Sequence, residues 1–158
     1  MKTIIPLENK ESLYRNPLKG WVQWREHAEE EVLINSQLYF VLINWSEIEQ
    51  TQRFYNWEHF EKKWKINFNI SNKFYVFRLV LDYPQTTPKK WIPEWLLHSI
   101  ASSGTNYDSQ DIGKGYSPDY TNKLLIKNHE RFIKALARRY NDKQQVAFIE
   151  VGSLGHWG

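Results

Sequence analysis

Glu150 and Arg78 each stand inside an apolar run of strand length, Glu150 in QVAFIEVG and Arg78 in KFYVFRLVLD. A charge in such a run needs a partner, because an unpaired interior charge costs several kcal/mol. Side chains alternate across a strand, which assigns the faces. Ala147, Ile149 and Val151 share one side, suited to a layer of helices, while Phe148, Glu150 and Gly152 share the other. In the earlier run Phe77, Leu79 and Leu81 lie opposite Arg78, Val80 and Asp82. If the two strands are neighbours, Arg78 and Glu150 face one space and pair there. Two readings of that pair stand side by side: a structural ion pair beneath a site, or a contact to a polar substrate.

Asp82 ends its run, where an α/β fold places functional residues, and its carboxylate suits a hydrogen bond to a sugar hydroxyl or a loop cap. Trp45 follows an earlier apolar run directly and offers a flat face for a sugar ring. Glu47 and Glu49 come next and read as loop carboxylates. Trp91 and Trp95 flank Pro93, either to stack on a sugar or to pin a loop. His27, His59, His98 and His129 are scattered and read as surface groups. His156 differs, in Gly155-His156-Trp157-Gly158 just past a strand end, where it and Trp157 could line a pocket. No second His or carboxylate lies at metal spacing around it, so no metal site is expected. No phosphate-binding glycine motif opens a helix, and no cofactor is implied.

The elements that must position these groups alternate. Residues 20–25 and 37–44 read as strands, the second apolar throughout and so buried on both faces. Residues 57–70 read as a helix with Trp57, Phe60, Trp64 and Phe68 on one side. A third strand spans 73–82. Residues 83–120 hold four prolines and three glycines and read mostly as loop, with a short helix over 93–101. Residues 121–141 form the clearest helix, with Leu125, Phe132, Ile133, Leu136 and Tyr140 inward. A buried strand over 145–152 closes the chain. Parallel βα units follow from this order, in an open sheet or a half-finished barrel.

Composition narrows the function. The chain has 158 residues, 41% hydrophobic and 25% charged, with net charge +3. The charges alternate in sign along the sequence, a poor footprint for nucleic acid. There is no cysteine, hence no disulfide framework and no thiolate metal site. No apolar window approaches the roughly 20 residues of a membrane span or the 7 to 15 of a secretory core, so a cytoplasmic protein without membrane contact is expected. Aromatic residues reach 16%, with eight Trp and nine Tyr, which suits sugar stacking as well as a core.

Four segments in order carry a family resemblance. Asn16-Pro17-Leu18-Lys19-Gly20-Trp21 resembles the opening of bacterial β-galactosidase-like barrel proteins. Trp45-Ser46-Glu47-Ile48-Glu49 with Phe54-Tyr55-Asn56-Trp57 is similar to the segment after the second strand in clan A glycoside hydrolases. Phe77-Arg78-Leu79 resembles their arginine-bearing strand, and Gly152-Ser153-Leu154-Gly155-His156-Trp157-Gly158 their fourth-strand signature. Gln50 stands where the pattern has Pro, and Arg53 near its usual Gly.

The resemblance implies a glycoside hydrolase-like (β/α)8-barrel, with residues 1–158 as its N-terminal half of about four βα units, cut after the fourth strand. It implies a β-glycoside substrate such as a galactoside, held by Arg78, Asp82, Trp45, His156 and Trp157. The general acid/base is expected just beyond Gly158 and the nucleophile further on, with Glu150 the one inward strand carboxylate within the chain and so the fallback acid/base. The chain by itself should then be inactive, since glycoside hydrolysis needs two carboxyl groups. The alternative is a non-catalytic carbohydrate-binding or self-associating half-barrel, because open sheet edges invite association.

Overall fold

The computed structural model describes residues 22–25, 36–86 and 90–156. Its main element is a four-stranded parallel sheet: β1 (Gln23–Trp24), β2 (Leu38–Asn44), β3 (Phe74–Val80) and, last in sequence, β6 (Val146–Glu150), in the order β1-β2-β3-β6. The strands lie in chain order with no reversal. A doubly wound sheet would reverse its order at a switch point and place helices on both faces.

Register explains how the runs became strands. Leu38 pairs with Phe74 and Asn44 with Val80, in step along the whole of β2 and β3. Every residue of β2 is buried, as a run apolar on both faces requires. Tyr39, Val41, Ile43, Tyr75, Phe77, Leu79 and Leu81 pack on the helical layer, while Leu38, Phe40, Leu42, Val76 and Val80 gather with Trp91 in a second cluster.

Among the described residues four helices supply the covering layer: α1 (Trp45–Ile48), α2 (Trp57–Lys63), α3 (Glu94–Ser99) and α4 (Lys123–Tyr140). Each of three helix starts is capped by an asparagine whose side chain accepts backbone N–H groups: Asn44, Asn56 and Asn122. Such caps satisfy donors that a helix N-terminus leaves orphaned. Leu125, Phe132, Leu136 and Tyr140 of α4 are buried as expected, whereas Ile133 is 42% exposed and lies off that face.

Three expectations need correction. The helix foreseen over 57–70 stops at Lys63, since Lys65 adopts φ +49° and Asn67 takes the Asn69 N–H in a turn; Trp64 and Phe68 nevertheless reach the core. The stretch 83–120 is not mostly loop: β4 (Gly104–Ser109) and β5 (Gly113–Pro118) form an antiparallel hairpin. Its strands carry too few apolar residues to announce themselves, and a bridge between Gln85 and Lys114 ties it to the chain after β3. Finally, β6 is not buried. Phe148 and Ile149 are each about half exposed and Val151 is fully so, because β6 is the edge strand with β3 as its sheet neighbour. Among the described residues no helix is long and apolar enough to cross a membrane.

Candidate functional site at the strand ends

The parallel pairing of β3 with β6 sets Arg78 opposite Glu150. Their side chains approach to 4.0 Å, with Arg78 18% and Glu150 47% exposed. The two strands are therefore neighbours, and Arg78 and Glu150 share one face of the sheet. Gly152 lets the arginine lie flat: a Cβ there would stand 2.6 Å from Arg78 Nε. That Nε atom is buried without a hydrogen-bond partner among the described residues.

A second group lies further along the strands. Asp82, two residues past β3, is wholly buried. Tyr107 of β4 donates its hydroxyl to Asp82 Oδ1 at 2.6 Å, and Nδ1 of His156 lies 3.1 Å from Oδ2. Those last two atoms are close but not aligned as a hydrogen bond, and neither has another. The Tyr107 and His156 rings meet edge to face at 4.6 Å. Burial, and then the bond to Asp82, push the Tyr107 phenol above its ordinary value, so it stays a donor. Gly115 makes this possible. It faces Tyr107 across the hairpin, and a Cβ there would fall 2.1 Å from the phenol oxygen.

The segment carrying His156 is anchored by Tyr120, whose hydroxyl accepts the Gly155 N–H at 3.0 Å. Gly155 turns at φ +71°, a conformation that glycine adopts without the Cβ penalty. The ring of His156 keeps 28% of its side-chain surface exposed, so a ligand can reach it.

The two groups form successive tiers. A strand rises about 3.3 Å per residue, so Asp82 stands roughly 13 Å beyond Arg78 and its partner Glu150. Paired carboxylates of glycoside hydrolases stand about 5 to 5.5 Å or 6.5 to 9.5 Å apart. The backbones of Asp82 and Glu150 are further apart than either range. What the tiers present to a polar ligand is the half-exposed Glu150 and the part-exposed Arg78 and His156, with Asp82 buried behind the imidazole.

Trp45 does not belong to this cluster. It is wholly buried on the helical side, stacked on Phe132 at 5.1 Å, with its indole N–H donated to Glu49 at 2.7 Å. A tryptophan so enclosed has no face to offer a sugar. Glu49 is also structural, buried and held by the Arg53 N–H at 2.6 Å and Arg131 at 2.7 Å. Trp95 donates to the Glu49 carbonyl, and the Trp91 carbonyl accepts from Ser46, so both tryptophans pin the loop. Glu47 pairs with Lys63 at 2.7 Å. His129 is not a surface group: it packs against Trp45, and burial lowers its pKa. Trp157, His27 and the 16–21 motif lie outside the described residues. Among the described residues no group of three or more His, Cys, Asp or Glu could hold a metal ion.

Tyr107 and Tyr120 were missed by sequence reasoning. The available signal was the pairing of Gly115 with an aromatic across a Gly-rich turn, which spacing alone does not reveal. Comparison of the chain with protein-family models, with curated proteins and with solved structures found no match in any of the three.

Proposed function

We propose that the sheet is the first half of a (β/α)8-barrel and that its strand-end cluster is part of the sugar site of a glycoside hydrolase acting on a β-glycoside such as a galactoside. The observation that carries this reading is that two adjacent parallel strands carry the Arg78–Glu150 pair and, just past their ends, bring Asp82 and His156 together. Ligands of parallel α/β folds bind at those ends. Support also comes from the sequential strand order and from the helices gathered on the cluster that includes Tyr39 and Phe77. His156 would bind a sugar hydroxyl, held from behind by the buried Asp82 carboxylate, with Arg78 and Glu150 beneath them. The acid/base and the nucleophile would come from residues beyond Gly158, so the chain alone binds a glycoside without cleaving it.

The test is saturation-transfer NMR with methyl β-galactoside, together with an aryl β-galactoside assay. Expected are transfer to the sugar that disappears in Arg78→Ala and His156→Ala, and no turnover. Transfer that survives both substitutions, or measurable hydrolysis by the chain, contradicts the reading.

A second reading rests on a different observation. The later part of β6 carries Phe148 and Ile149 on opposite faces, each about half exposed. A non-catalytic half-barrel that covers this edge by self-association accounts for that pattern.

A further inference from the structure

One oxygen of the Asp82 carboxylate is taken, and that fixes where the other points. Tyr107 donates to Oδ1 at 2.6 Å, and Asp82 is wholly buried. Oδ2 is thereby turned toward the His156 ring, whose Nδ1 stands 3.1 Å away. Both facing atoms are buried, and neither has a hydrogen-bond partner elsewhere among the described residues. The ring is held as well: Tyr107 meets it edge to face at 4.6 Å, and the Tyr120 hydroxyl anchors the preceding Gly155 N–H.

The position of one proton decides whether this contact attracts or repels. A neutral imidazole carries a proton on one nitrogen and a lone pair on the other. With the lone pair on Nδ1, two buried acceptors would face each other at 3.1 Å, and neither would be satisfied. With the proton on Nδ1, the same approach becomes a charge-assisted contact. The distance is already that of a hydrogen bond. Only the angle falls short, and the gain from such a bond exceeds the cost of a modest torsional shift. Turning the ring over would set a carbon against Oδ2 and leave that oxygen with no donor.

We propose that Asp82 is a positioning residue that holds His156 in the tautomer protonated on Nδ1, so that Nε2 meets a ligand as a hydrogen-bond acceptor and selects a hydroxyl that donates to it. With Nδ1 buried, the 28% of the side-chain surface that stays exposed leaves Nε2 as the nitrogen a ligand reaches. Which nitrogen carries the proton is set by the hydrogen bond that the other makes. Free histidine prefers the opposite placement, with the proton on Nε2, so the effect of Asp82 is measurable. For the class of ligand the inference rests on the sugar-binding reading; the proton placement does not.

The experiment is imidazole nitrogen NMR of the full chain, isotopically labelled at histidine, at about pH 8, above the ordinary range of a histidine. Expected for His156, assigned by its loss in His156→Ala, is a protonated Nδ1 and an unprotonated Nε2. Asp82→Asn should reverse them: Tyr107 keeps its bond to Oδ1, the amide group then donates to Nδ1, and the proton moves to Nε2. Tyr107→Phe keeps the carboxylate and should leave the placement unchanged. Asp82→Asn should also bind methyl β-galactoside about tenfold or more weakly, because Nε2 then offers a donor where an acceptor is needed. A wild-type ring with its proton on Nε2, or on both nitrogens, overturns the proposal, as does an Asp82→Asn ring that keeps the wild-type placement. The wild-type spectrum needs no sugar: the expected placement without any response to methyl β-galactoside would uphold the role of Asp82 and fail the sugar reading alone.

Discussion

Nδ1 of His156 lies 3.1 Å from Oδ2 of Asp82, although the two residues leave different strands of the sheet. The carboxylate between them and Tyr107 has no solvent exposure. Tyr107 from the hairpin satisfies one oxygen of this buried carboxylate, and the strand-end turn sets the His156 ring beside the other. The relationship thus joins the β4–β5 hairpin, β3 and the segment after β6 at one point.

Asp82→Ala is expected to destabilise the chain by about 1–3 kcal/mol, because the Tyr107 hydroxyl would be left without its acceptor. Urea unfolding checks this through a lower midpoint at unchanged slope. A midpoint equal to wild type would mean that the carboxylate is not part of the folded framework.

Glu49 and Arg131 should behave as a buried pair. Removing one partner strands a charge, so Arg131→Met should cost about 3–5 kcal/mol. Glu49→Gln in the same chain should recover part of that loss, and thermal unfolding of the double-mutant cycle measures it. Simple additivity would show that the two side chains do not interact.

His129 gives the acid limb of stability. Burial lowers its pKa from 6.5 in the folded chain, so the unfolded chain binds the proton more readily. The contribution is therefore full above about pH 6.5 and is lost as pH falls through the folded value. Tyr107 and Tyr140, both raised chiefly by burial, act at the other end: theirs is present below about pH 10 and lost as pH rises through the folded values. Melts recorded across both ranges should fall at each end, and His129→Phe should flatten the acid side alone.

The strand pattern was legible because β2 and β3 are apolar throughout, and their alternation placed Arg78 and Glu150 on one face. Asp82 and His156 were legible as strand-end residues, though not as a pair, since nothing in spacing shows which turns meet. Trp45 misled because a tryptophan after a strand suits a sugar or a core equally; its indole N–H found Glu49, and the core won. The hairpin was hidden by its polarity, and Tyr107 with it. The length of α2 was overestimated because the aromatic spacing continues through Phe68 while the backbone turns at Lys65.

The exposed strand β6 should drive association. Sedimentation velocity of the chain is expected to show a concentration-dependent dimer or larger species, and Phe148→Ser with Ile149→Lys should return it to monomer. A wild-type chain that stays monomeric at high concentration would remove the self-association reading.

The most direct measurement is an amide NMR titration of the chain with methyl β-galactoside. Sugar binding at the strand ends predicts saturable shifts centred on Asp82, Tyr107 and residues 152–156, abolished in His156→Ala. Shifts that never appear, or that gather away from the ends of β3 and β6, would contradict it.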